Sequence, residues 1–164
     1  MRKQRDPLFR KHVLRAYNYQ CAICSFNICY GNSTVSLEAT HIKWKQHGGP
    51  CEIPNGLALC AIHHKAFDKG TIGLDENMRV LVLDAVNGGE IIERSFWDFD
   101  GKIIALPQVR KNYPFEGVVE WHRKEFFRGE VTIIYLSPRI LNVIDKVFSD
   151  TESIIYEYIA INQF

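Results

Sequence analysis

Apolar and polar positions change their period several times along the chain, and each change marks an element. Residues 6–17 carry Leu8, Phe9, Val13, Leu14 and Tyr17 at helical spacing. Asp6 can cap that segment and Pro7 suits its first position, so a short helix is predicted there. Residues 35–42, VSLEATHI, alternate as a strand does. Leu57, Cys60, His64 and Phe67 return to helical spacing, and Asn55-Gly56 and Lys69-Gly70 bound a predicted helix over 56–68. Two hairpins are predicted next: Thr71–Leu74 with Arg79–Leu83 around Asp75-Glu76-Asn77, and Phe96–Phe99 with Lys102–Ala105 around Asp100-Gly101. A helix over 116–128 would bury Val119, Phe126 and part of Trp121 and stop at Gly129. Beyond it lie a strand over 131–136, a helix opened by Ser137-Pro138, and a last helix over 152–162.

Elements in this order describe an α+β protein with a first part over 1–105 and a strand and helical extension over 106–164. The extension has apolar faces suited to packing on the core or on a partner. Its His122, Arg123 and Lys124 fit either a DNA backbone contact or a solvated helix face. Apolar content of 46% and charged content of 24% are ordinary for a globular chain. No stretch approaches the roughly 18 apolar residues of a membrane span. The basic N-terminus lacks an apolar h-region, so a cytoplasmic location is expected.

A net charge of +1 conceals a gradient. Residues 1–70 hold ten Lys/Arg against four Asp/Glu, residues 71–128 eight against ten, and residues 129–164 two against five. The positive field therefore falls on the segment that also carries the candidate chemistry. A phosphodiester-binding face needs such a field, although a solvated basic surface would give the same count.

That segment reads CAIC at 21–24, LEATHIKWK at 37–45 and NGLALCAIHHKAFDKG at 55–70. Two residues separate Cys21 from Cys24, and two separate Cys60 from His63. Half-sites of this kind, joined by a loop, build closed tetrahedral zinc sites, here Cys21, Cys24, Cys60 and His63. A redox Cys-x-x-Cys would call for a βαβ setting, which the pattern lacks. Cys29 and Cys51 are expected to be buried as small apolar residues, with Cys51 as an outside substitute ligand. Adjacent helical residues point about 100° apart, so His63 can face the zinc while His64 faces the strand that carries His41. Asp68, one turn on, is either a partner for the His64 ring or a cap-region carboxylate.

His41, Asn55 and His64, beside the Cys-x-x-Cys and Cys-x-x-His pairs, resemble the HNH nucleases. That resemblance implies a zinc-stapled ββα-metal (HNH) core with additional β-hairpins and C-terminal helices. It also implies a metal-dependent DNA endonuclease acting in restriction or in defence against foreign DNA. His41 would be the general base and His64 a ligand of catalytic Mg²⁺ or Mn²⁺, in addition to the structural Zn²⁺. Asn55 would either orient the His41 loop or lend its carbonyl oxygen to the metal. Many members have Asp or His directly before the general base, where this chain has Thr40. That leaves a coordination shell completed by Asn55, Asp68, water and the scissile phosphate, with Glu38 a weaker candidate. Arg10, Lys11, Lys43, Lys45 and Lys65 are the expected DNA contacts, and a homodimer or a separate DNA-recognition domain or subunit the expected partner. A non-catalytic zinc-stapled DNA-binding or scaffold module is the competing reading.

Overall fold

The computed structural model describes residues 7–129, which belong to one compact unit ending at Gly129. The expected Asp6 cap and the elements expected after 129 lie outside the described residues. The first helix, α1 (Pro7–Ala16), buries Phe9, Val13 and Leu14, and Tyr17 just beyond it is buried as well. Leu8, expected on the same face, is 62% exposed, because it falls off the stripe that residues 9, 13 and 17 share.

At the centre a ribbon of two antiparallel strands, β3 (Leu37–His41) and β4 (Gly56–Cys60), runs directly into α2 (Ala61–Asp68). The register pairs Leu37 with Cys60 at one end and His41 with Gly56 at the other. The predicted helix over 56–68 is therefore half strand. Every residue of β4 is buried, and a short apolar run buried on both faces has no period to tell strand from helix. Pairing with β3 decides it, since each buried backbone group there needs a partner. The helix begins only after Cys60, whose backbone is still extended.

Close backbone approach fixes both ends of this unit. A side chain at Gly56 would meet Val13 Cγ2 at 2.5 Å, so α1 lies almost on the β4 backbone there. Tyr17 adds a hydrogen bond from its hydroxyl to the Gly56 carbonyl at 3.3 Å. At the other end Gly70 is left-handed (φ 68°), its N–H bonds to Phe67 O and the Thr71 N–H to Ala66 O. This double closure ends α2 in a Schellman motif.

A small hairpin, β1 (Cys29–Tyr30) with β2 (Ser33–Thr34), precedes the ribbon and was not signalled by the pattern. After α2, β5 (Ile72–Leu74) and β6 (Val80–Val82) pair as predicted, with Asp75 Oδ1 accepting from the N–H groups of Asn77 and Arg79 in the turn. The second predicted hairpin does not form. A helix, α3 (Glu90–Ser95), and a 3₁₀ turn over Trp97–Phe99 occupy its first half. Asp100 turns its carboxylate to the Val82 N–H at 3.0 Å, and residues 101–104 run beside β6 instead. The Asp-Gly pair thus ties a returning chain to an existing strand. The last described helix, α4 (Glu116–Glu125), buries Val118, Val119 and His122, followed by buried Phe127, while Trp121 and Phe126 stay half-buried.

Candidate active site

Four side chains from three places meet beneath the ribbon. Cys21 and Cys24 come from the tight turn after α1, where the Cys21 N–H bonds to Phe26 O and the Ser25 N–H to Cys21 O, both at 2.9 Å. Cys60 ends β4 and His63 lies in the first turn of α2. Their donor atoms lie within 4.8 Å of one another, with His63 Nδ1 3.2 Å from Cys60 Sγ and 3.5 Å from Cys21 Sγ. His63 Nε2 donates to the Ser95 carbonyl at the end of α3, at 2.7 Å. That bond leaves the Nδ1 lone pair facing the three sulfurs, the tautomer a metal ligand needs.

The electrostatics fit a cation as well. The neighbouring Cys21 and Cys24 thiols draw the Cys60 thiol well below the usual range, whereas the Cys24 thiol is pushed up by Cys21 and Cys60. Burial disfavours charge on His63, yet Cys21 and Cys60 beside it raise its pKa to about 10. Positive charge is thus favoured at the centre of the cluster, and these residues can hold a metal ion. Among the described residues this is the one Cys/His/carboxylate group compact enough to do so. Cys51 is not part of it, and Cys29, expected to be buried, is exposed in β1.

His64, next in sequence, has different company. Its Nδ1 lies 2.5 Å from Glu38 Oε2 on β3, and its Nε2 lies 3.3 Å from Asp68 Oδ2 one turn along α2. The ring is buried and both carboxylates are about one-third exposed, so the trio opens to solvent on its acidic side. Residues three apart on a strand point to opposite faces. Glu38 accordingly meets α2, while His41 meets α1, stacking on Phe9 with ring centroids 3.9 Å apart and planes 9° from parallel. His41 Nε2 lies 3.4 Å from Cys51 Sγ.

Asn55 is fully buried and its amide is committed to the loop between the strands. Its Oδ1 accepts from the Lys43 N–H at 2.8 Å, and its Nδ2 donates to the Lys43 and Pro50 carbonyls at 2.9 and 2.8 Å. Of the two roles the resemblance offered, this geometry serves loop orientation.

Among the expected DNA contacts, Lys11, Lys45 and Lys65 are exposed. Lys43 sits 5.6 Å over the Trp121 ring, in an aromatic group with Trp44, His47 and Phe126. Arg10 instead fastens α1 to the ribbon, bonding Thr34 Oγ1 at 3.1 Å and Leu37 O at 3.0 Å. His122 is not a surface contact: it is buried, stacked on Phe67 at 3.6 Å, and bonded through Nε2 to Phe67 O. Arg123 and Lys124 pair with Glu76 and Glu120. Glu38, Cys51, Phe9 and Ser95 were missed or ranked low by sequence reasoning. Each reaches its partner only through strand register or a returning loop.

A ββα unit with a Cys₃His cluster and paired histidines defines a class of nuclease-like domain. Residues 21–75 match the model of the HNH endonuclease family, so the chain carries an HNH endonuclease segment over those residues. Among solved structures it is similar to a modification-dependent TagI restriction endonuclease, with a TM-score of 0.54 at 22% identity over 76% of this chain. That likeness speaks to the fold, and this chain spans 39% of the length of that one. No curated protein matches. Among the described residues, no helix is long and apolar enough to cross a membrane.

Proposed function

We propose that the chain is a divalent-metal-dependent DNA endonuclease that acts on foreign or modified DNA in the cytoplasm. The observation that carries this reading is the pairing of His64 with Glu38 and Asp68 on the same ββα unit that ends β3 at His41. Three thiolates and one imidazole in a closed set suit structural Zn²⁺. Residues 1–105 would be the nuclease part and 106–164 an extension of it. A second copy, or a separate recognition domain or subunit, would choose the DNA.

Each residue has a task in phosphodiester hydrolysis. Glu38 accepts the Nδ1–H of His64, which keeps Nε2 unprotonated and turned toward Asp68. His64 and Asp68 would hold Mg²⁺ or Mn²⁺, which when bound neutralises the charge growing on the leaving oxygen. His41 takes the proton of the attacking water at Nε2, with its ring plane held by the Phe9 stack. Asn55 keeps the loop after His41 closed, and Lys11, Lys43, Lys45 and Lys65 meet the phosphates. The products would carry 5′-phosphate and 3′-hydroxyl ends. Supercoiled plasmid incubated with the zinc-loaded protein and Mg²⁺ or Mn²⁺ should become nicked or linear. Plasmid left intact at every concentration of either ion would refute the reading.

A further inference from the structure

A recess of about 260 Å³ opens beside His41 and is used by nothing described so far. Phe9, Ile53 and Pro54 give it apolar walls, and His12, Glu52 and Asn112 give it polar ones, with Cys51 completing the lining. Two of these seven residues are the neighbours of His41 itself: Phe9, which stacks on its ring, and Cys51, whose Sγ lies 3.4 Å from its Nε2. Whatever fills the recess therefore sits next to the proposed general base. Among the described residues, neither the Glu52 carboxylate nor the Asn112 amide has a hydrogen-bond partner, so both remain available to a ligand.

The lining selects the occupant. Drug-sized ligands fill pockets of roughly 300–1,000 Å³, so this space suits one planar ring system and not a longer piece of chain. A carboxylate in the wall repels a phosphate but accepts from an exocyclic amino group. An amide beside it offers a donor and an acceptor side by side, which is how Asn reads a base edge. Phe9 provides a face for stacking. Arg110 and Lys111, exposed on the turn that carries Asn112, supply positive charge where the flanking backbone would run. A base paired inside a duplex cannot enter a walled recess, whereas an unpaired base can.

We propose that this recess binds a single unpaired nucleobase next to the phosphodiester to be cut, with Glu52 and Asn112 reading its edge. The inference rests on the DNA endonuclease reading and narrows its substrate to DNA with an unstacked base beside the scissile bond. The extruded base gains stacking and hydrogen bonds, while fully paired DNA must first be opened at a cost of a few kcal/mol.

The test is equilibrium binding by the full-length zinc-loaded protein, without added Mg²⁺ or Mn²⁺, to three labelled DNAs of one sequence. They are a fully paired duplex, the same duplex with one bulged base, and the bulge with an abasic residue in place of that base. The bulged duplex should bind roughly tenfold more tightly than the paired one, the usual worth of one stacked base. The abasic bulge should lose that advantage. Glu52→Gln and Asn112→Ala, each checked for an unchanged melting temperature, should bring the ratio toward one while paired-duplex affinity stays as it was. Equal binding of paired and bulged DNA, or an advantage that survives the abasic change or both substitutions, overturns the base pocket. Equal binding with plasmid cleavage intact would overturn the pocket alone. Absence of binding to all three DNAs would overturn the endonuclease reading with it.

Discussion

His63 and His64 are neighbours with opposite duties, and the difference comes from what each ring touches. His63 is held by the Ser95 carbonyl and aimed at three sulfurs, whereas His64 lies between two carboxylates. His63→Ala should therefore release the structural metal and lower the melting temperature, because binding energy at such a site is folding energy. His64→Ala should keep metal content at one equivalent and leave the melting temperature near that of wild type. Metal analysis and thermal melts of both variants decide this, and equal losses in the two would mean that the roles are misassigned. Asn55→Ala would strand the Lys43 N–H and the Lys43 and Pro50 carbonyls. Denaturant unfolding should show a loss on the order of 3 kcal/mol from those buried, unpaired groups. At this scale the two Cys-x-x-Cys/His half-sites were legible because ligand spacing within one turn is local. Glu38 and Cys51 were not, because their meetings with His64 and His41 depend on the β3–β4 register and on the path of the loop.

At the scale of elements, burial decides what periodicity leaves open. Gly56–Cys60 is a strand because β3 offers it an antiparallel edge, although its apolar residues continue smoothly into a helical spacing. Asp100-Gly101 carries a strong hairpin signal, yet the Asp100 carboxylate is spent on the β6 backbone. Isolated stretches could not reveal either outcome, since both depend on a partner far along the chain. By contrast β5 and β6 were legible, as their Asp75 turn closes locally. The buried face of α4 carries a pH-dependent element of its own. Burial lowers the His122 pKa to about 4 from an unperturbed value near 6.5. Its Nε2–H bonds to Phe67 O while Nδ1 has no partner, so protonation would bury an unpaired N–H. The stability that neutral His122 contributes is thus fully present above about pH 6.5 and is lost as pH falls toward 4. A span of that size amounts to roughly 3 kcal/mol at most. Comparing urea unfolding of wild type and His122→Phe between pH 7 and 4 should show a shallower acid loss in the variant. Parallel curves would mean that His122 does not titrate in this window.

At the scale of the whole molecule, the described unit is a small ββα core with α1 and the later elements packed around it, and the Cys₃His cluster ties the chain at 21–24 to α2. Cys60→Ser should release the metal and lower the melting temperature by several degrees or more, as read by metal analysis and a thermal melt. Stoichiometric tetrahedral metal surviving that change would contradict the assignment of the cluster. The basic first seventy residues should give DNA binding a steep salt dependence, since each neutralised phosphate releases counterions. The central claim is that His41 removes a proton from the attacking water, and His41→Ala in a plasmid-cleavage assay with Mg²⁺ or Mn²⁺ tests it most directly. The rate on bound DNA should fall by roughly 10²–10⁴-fold, the usual worth of a general base, with DNA affinity unchanged. A variant that cuts bound DNA at the wild-type rate, or that loses affinity while keeping that rate, would contradict the account.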